Sequence, residues 1–321
     1  MGHGTLRRDS TPHRALNERG GAPQAVDEAP TAAREARALP AHIPDCFIHK
    51  NQRNLRIIKL EEEDENENEN EFDQMKFKLV IAYDGANYEG WQTQKTGTGV
   101  QQILETALAK LFPGKPALHG SSRTDTGVHA LGMVAHFEIP AHEFKMPLRK
   151  LPLALNAWLP EDVRVMSAAR APQKFHARFD AIGKQYRYFI WNHSAMNPLL
   201  RRTAWQVPIK LDVPRMRAAA KLFIGKHDFQ SFAANPGYKK ENTVRTIHQC
   251  DIKKSGPQIT VIIEGDGFLY KMCRGIVGTI VQAGLGKFPP DQIRTMLAQK
   301  DRRVAGMTAP AHGLVLWNVA Y

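Results

Sequence analysis

From Lys78 onward the chain alternates between two hydrophobic rhythms. Lys78 to Asp84 is an apolar-rich strand, and a Gly/Asn/Tyr-rich loop, Gly85 to Gly99, follows it. Val100, Ile103, Leu104, Ala107, Leu108, Leu111 and Phe112 then recur at helical spacing, after Thr98 or Gly99 as a cap and before Pro113-Gly114 as a stop. Met133, Ala135, Phe137 and Ile139 alternate with His136 and Glu138, so this segment predicts a strand with one buried face, closed by Pro140. A helix near Pro147 to Trp158 and a strand near Val163 to Ala168 complete a first lobe. Gln185 to Trp191 reads as a strand with Tyr186, Tyr188 and Ile190 on one face and Arg187 and Phe189 on the other. Beyond it the pattern predicts a helix (Pro214 to Phe223), strands near Val244 to Lys253 and Gln258 to Glu264, a long helix (Gly267 to Gly284), a short one (Asp291 to Ala298) and a final strand (Gly313 to Ala320). Hairpin-spaced strands among helices point to an α+β fold, a largely antiparallel central sheet flanked by helices. The expected lobes are residues 75–174 and 175–321, with a cleft between them.

Residues 1–74 lack this periodicity and end in an acidic run, Glu61 to Glu71, in which Glu and Asn alternate. Too little apolar surface is present to offset the entropy of ordering, so disorder is expected there. The composition break at Met75 also suggests a translation start at that methionine. Early arginines (Arg7, Arg8, Arg14, Arg19) hint at a transit peptide, but Asp9, Glu18, Asp27 and Glu28 argue against one.

Charge sharpens the division. The formal charge is +12, yet residues 1–74 hold 10 Lys+Arg against 15 Asp+Glu, leaving 34 basic and 17 acidic side chains, about +17, on the rest. An excess of that size attracts polyphosphate, so RNA or DNA is the expected partner, against the plainer reading of a basic protein whose charge serves no partner. Three cysteines, Cys46, Cys250 and Cys273, show no C-x-x-C spacing, which fits a reducing cytoplasm and suggests neither disulfide framework nor zinc site. No apolar run is long enough for a membrane span.

The candidate chemistry centres on Ser122 to Ala130, S-R-T-D-T-G-V-H-A, where Asp125 stands between Arg123 and Gly127. On its own Asp125 reads first as a turn aspartate bonding its own backbone. Its D-T-G also fits an aspartic protease, but no second D-T-G or D-S-G exists to share a proton. A metal site of Asp125, His129 and His136 has no recognised ligand spacing, and His129 reads better as a hydrogen-bonding residue of the loop.

Five further segments change this balance: Tyr83 to Gln94, Phe175-His176-Ala177-Arg178-Phe179, Lys184-Gln185-Tyr186-Arg187-Tyr188, Gly267 to Arg274, and Thr308 to Leu314. With the Asp125 motif, and in this order, they closely resemble the TruA family of tRNA pseudouridine synthases over Met75 to Tyr321. Ser122 stands where many members have glycine, and Cys273 replaces a more usual valine. The resemblance implies the pseudouridine synthase fold and a cofactor- and metal-free isomerisation of uridine to pseudouridine in the anticodon stem-loop of tRNA, around positions 38 to 40. It implies a cytoplasmic homodimer with tRNA bound across both subunits.

By the same resemblance Asp125 is the catalytic carboxylate, Arg274 its cationic partner, and Tyr186 the ring that stacks on the target base. From the residues alone, Arg274 lies off the apolar face of its helix and reads equally as a solvated residue, while Tyr186 reads equally as sheet packing. Arg123 either fills the space of the extruded base, contacts phosphate, or forms a loop salt bridge. Lys184 and Arg187 suit phosphates, and Arg149-Lys150, Arg201-Arg202, Lys239-Lys240 and Lys253-Lys254 could track an RNA backbone. The competing class is a non-catalytic RNA-binding protein on the same scaffold.

Overall fold

The computed structural model describes residues 74–94, 97–234 and 242–321. The expectations for residues 1–73 and for Lys239-Lys240 lie outside the described residues. Ten strands form one sheet: β1 (Gln74–Tyr83), β2 (His119–Gly120), β3 (His129–Pro140), β4 (Val163–Ala171), β5 (Gly183–Trp191), β6 (Trp205–Gln206), β7 (Gly225–Asp228), β8 (Val244–Ser255), β9 (Gln258–Gly265) and β10 (Leu314–Ala320). The helices are α1 (Val100–Leu111), α2 (Leu151–Asn156), α3 (Val213–Lys221), α4 (Met272–Gly284) and α5 (Gln292–Gln299).

The strand order is β4-β1-β3-β10-β5-β9-β8-β7, with β2 paired to β3 and β6 to β5. Every pairing is antiparallel except β10 with β3 and β5 with β6. The expected α+β class is therefore what the chain adopts. β10 enters the middle of the sheet, with Val315 opposite His129 of β3 and Leu316 opposite Tyr186 of β5.

Period-two alternation sets one sheet face toward the core. Phe77, Leu79, Ile81 and Tyr83 of β1, Tyr186, Tyr188 and Ile190 of β5, and Ile259, Val261 and Ile263 of β9 are all buried. They join Leu104 and Leu108 of α1, Met216 of α3, and Ile276 and Ile280 of α4 in one hydrophobic cluster. Each such side chain contributes about 1.5–3 kcal/mol on burial, so this cluster carries most of the favourable term that holds the sheet.

Three boundaries depart from the pattern. The long helix begins at Met272 rather than Gly267, because Lys271 adopts the left-handed conformation, φ 56° and ψ 11°. Leu269 is buried as periodicity expects, but from a loop. The Pro147 to Trp158 segment forms a 3₁₀ turn, Leu148–Lys150, and then the short α2. The polar β7 and the two-residue strands β2 and β6 have no hydrophobic rhythm, and sequence reading missed them. No described helix is long and apolar enough to cross a membrane.

Candidate active site

Asp125 lies on the loop between β2 and β3. Val128 N–H donates to the Asp125 carbonyl at 3.1 Å, closing a turn whose third residue, Gly127, has φ +75°. That backbone strains any residue with a Cβ, which is why glycine follows the aspartate at this spacing. The loop is then tied from several sides. Trp91 N–H donates to the Thr124 carbonyl at 3.2 Å and Gly127 N–H to Tyr88 O at 3.3 Å. Tyr83 Oη and Thr124 Oγ1 are 2.8 Å apart in a buried pair. The approach of the 85–91 segment depends on Gly90, at φ +93°, where a Cβ would sit 2.3 Å from Thr124 O.

The carboxylate meets its cation here. Arg274 Nη1 donates to Asp125 Oδ2 at 2.9 Å, and the two side chains are only 14% and 15% exposed. Arg274 belongs to the first turn of α4. Its Nε donates to Ala309 O at 2.8 Å while Ala309 N–H donates back to Arg274 O at 3.0 Å. Arg302 in turn holds that segment, through Gly306 O and Thr308 Oγ1, both at 2.8 Å. The guanidinium is thereby oriented before any substrate arrives, and a partly buried carboxylate gains a charge-assisted hydrogen bond. Among the described residues the partner of Asp125 is a guanidinium and not a second carboxylate, so the shared-proton arrangement of an aspartic protease is missing here.

Tyr186, from β5, lines the same cleft as Asp125, Arg123 and Arg274, a space of about 750 Å³. Its ring is packed edge-on by Phe268 at 5.1 Å between centroids. Burial above all raises its phenol pKa well beyond the ordinary value, so the group is a neutral hydroxyl at any physiological pH. Ser122 Oγ is buried and makes no hydrogen bond of ordinary geometry among the described residues. It nevertheless lies close enough to Tyr186 to work against that rise. Arg123 is exposed on the cleft and forms no ion pair with the described residues, so the loop salt bridge weighed from sequence is not made.

Lys184 and Arg187 part company. Lys184 lines the cleft, and its Nζ donates to Ser121 O at 2.7 Å, anchoring the start of the Asp125 loop. Burial lowers its pKa to about 8, with Arg178 adding to the effect. Arg187 lies on the other face of β5, where its guanidinium stacks 3.7 Å above the Trp317 ring, outside the cleft lining. Arg149, Lys150, Arg201, Arg202, Lys253 and Lys254 are likewise not part of that lining. His129 is a stitch, as expected of a hydrogen-bonding residue. Its Nδ1 accepts from Gly85 N–H at 3.0 Å, and its Nε2 lies 2.9 Å from Arg202 O and 3.1 Å from His312 O.

Sequence reading did not foresee a cluster of three imidazoles at the edge of the cleft. His119 stacks on His136 at 5.0 Å and His176 meets His136 edge-on at 4.7 Å. Burial, followed by His119, His176 and Lys76, lowers His136 to about 4. Its Nδ1 accepts from Ala177 N–H at 3.2 Å, so it is a neutral structural group. Little in the sequence signals it: His136 alternates with the apolar row of β3 on the opposite face, yet it is buried.

The chain is also similar in sequence to known proteins. A family model described as tRNA pseudouridine synthase matches residues 79–180 and 219–321, which contain Arg123, Asp125 and Arg274, while Tyr186 falls between the matched segments. The chain is 45% identical over 249 residues to tRNA pseudouridine synthase A of Bacillus subtilis (strain 168), covering 77% of this chain and 99% of that protein. It is 46% identical over 245 residues to tRNA pseudouridine synthase A of Geobacter sp. (strain M21), with 76% and 98% covered. To the protein of that name from Thermoanaerobacter sp. (strain X514) it is 44% identical over 243 residues, again with 76% and 98% covered. Similarity of this extent, over nearly the whole length of each relative, shows that the chain belongs to the tRNA pseudouridine synthase family.

Proposed function

We propose that this protein isomerises uridine to pseudouridine in tRNA, with Asp125 as the catalytic carboxylate. The reaction breaks the bond from ribose C1′ to N1, forms one from C1′ to C5, and moves a proton from C5 to N1. Each route open to a carboxylate here, attack on the sugar, attack on the base or a glycal-like path, starts from the ionised acid. The observation that carries the reading is the 2.9 Å contact between Arg274 and Asp125 inside the cleft that Tyr186 also lines. Tyr186, as a neutral aromatic ring beside the carboxylate, supplies a stacking face for a base drawn out of its RNA stack. Arg123, exposed and uncommitted to a described acid, takes the space that base leaves or a neighbouring phosphate.

The same reading extends to the anticodon stem-loop, positions 38 to 40, as the target, to a cytoplasmic homodimer binding tRNA across both subunits, and to residues 75–174 and 175–321 as the two lobes flanking the cleft. A catalytically silent RNA-binding protein would need the basic surface but neither Asp125 nor an oriented Arg274. Asp125→Ala therefore abolishes tritium release from C5-labelled tRNA, a loss on the order of 10⁴-fold or more, while tRNA binding and the fold are kept, with a stability loss of up to about 3 kcal/mol because the partly buried Arg274 loses its carboxylate. Undiminished release by this variant would refute the assignment.

A further inference from the structure

Phe179 is 73% exposed and Tyr270 39% exposed, and both line the cleft that holds Asp125. A lone exposed aromatic residue on a soluble protein carries no message. These two share a second property. Phe179 lies on the connection from β4 to β5 with the Arg178 guanidinium 5.6 Å from its ring centre, and Tyr270 on the connection from β9 to α4 with Lys271 Nζ 4.9 Å from its ring centre. The connections flank the ends of β5 and β9, where Lys184 pairs with Gly265, and so they frame Tyr186 two residues along β5.

Neither ring is a loose tip. The His176 ring supports Phe179 at 4.2 Å between centroids, tilted by 31°. The turn beneath is fixed by His176 N–H to Asp180 Oδ2 at 2.8 Å, Asp180 N–H to His176 O at 3.1 Å and Arg178 N–H to His176 Nδ1 at 3.1 Å. Tyr270 O accepts from Ala234 N–H at 3.0 Å, and the next residue, Lys271, is held at φ 56°. An ordered ring keeps its apolar face in water only against the hydrophobic effect, and a left-handed lysine costs backbone energy. Both expenses are concentrated around one cleft.

We propose that Phe179 and Tyr270 are stacking platforms for the nucleobases on either side of the target uridine, with Arg178 and Lys271 meeting the phosphates of those nucleotides. The proposal rests on the tRNA-uridine reading. Drawing one base out of a stack uncovers a face on each neighbour, and an aromatic ring with an adjacent cation matches both the uncovered face and the phosphate beside it. Tyr186 serves the extracted base; Phe179 and Tyr270 serve the two that remain.

The test uses the full chain with Phe179→Ala, Phe179→Trp and Tyr270→Ala. Tritium release gives KM and kcat, and fluorescence anisotropy gives tRNA affinity independently of turnover. Phe179→Ala and Tyr270→Ala each weaken tRNA binding about 5- to 100-fold and raise KM in step, with a much smaller change in kcat. Phe179→Trp restores binding, and each alanine penalty disappears on tRNA carrying an abasic nucleotide on one side of the target. Unchanged affinity in both alanine variants, a penalty undiminished by either abasic substitution, or a change in sedimentation behaviour without a change in tRNA affinity overturns the proposal. A protein that binds tRNA but releases no tritium from any of them would refute the isomerase reading, while the anisotropy measurements would still decide the stacking.

Discussion

The loop that carries Asp125 and the segment that leads to Arg274 solve a similar problem in opposite ways. Both need a backbone turn with positive φ close to the cleft. The Asp125 loop and its support place glycine there, Gly127 at +75° and Gly90 at +93°, and tie the loop through Tyr83, Trp91, Tyr88 and Lys184. The segment before α4 places Lys271 at +56°, next to an exposed tyrosine, and only then delivers Arg274. The carboxylate thus sits on the least strained solution available, whereas the Lys271 edge of the cleft carries a left-handed lysine where a glycine would be unstrained.

Breaking this contrast at its centre has the largest effect. Arg274→Met removes the cation that orients Asp125 and lowers kcat by on the order of 10²- to 10³-fold in the tritium-release assay. It also leaves a partly buried carboxylate unpaired, so chemical denaturation registers a stability loss of up to about 3 kcal/mol. Gly90→Ala attacks the unstrained side. Its Cβ would meet Thr124 O at 2.3 Å and its φ is unfavourable, so the loop must move. We expect kcat to fall about 10- to 100-fold and stability by about 1–3 kcal/mol, with tRNA affinity nearly kept.

The next effect is one of pH. The His136 imidazole titrates near 4 in the fold against 6.5 when unfolded. Between those values the unfolded chain holds the extra proton, so stability is intact above about pH 6.5 and declines as pH falls toward 4. Thermal midpoints measured across that window show this decline, and His136→Asn, whose amide oxygen can still accept from Ala177 N–H, flattens it. Lys271→Gly sharpens the comparison itself. Relief of the left-handed lysine raises stability by up to about 1 kcal/mol while tRNA binding weakens and its salt dependence becomes shallower. Smallest is Ser122→Ala, which removes an unsatisfied buried hydroxyl and leaves the thermal midpoint unchanged or slightly higher.

Much of this was legible in the residues, and the omissions have physical reasons. Alternation placed Tyr186 and Arg187 on opposite faces of β5, which is how they are found, but could not tell that only the Tyr186 face opens on the cleft. Helical spacing found the apolar side of α4 and left Arg274 outside it. Hydrophobicity cannot register that this other side packs, through the Ala309 backbone, against the 305–309 segment. The start of α4 was misplaced because a left-handed lysine leaves no trace in an apolar pattern. The Asp125 motif fared best, since its turn and its glycine are local, whereas the Ser121 anchor comes from Lys184, 63 positions away.

β10 has a consequence for how the protein comes into being. Asp125 precedes β3 and Tyr186 stands on β5, and these strands do not pair with each other; each pairs with β10, made after every other strand of the sheet. A nascent chain emerging from a ribosome therefore carries β3 and β5 before the strand that pairs with both. Pairing of residues 314–320 with both strands is a long-range step, and until it is made the facing edges of β3 and β5 are open to pairing with another chain.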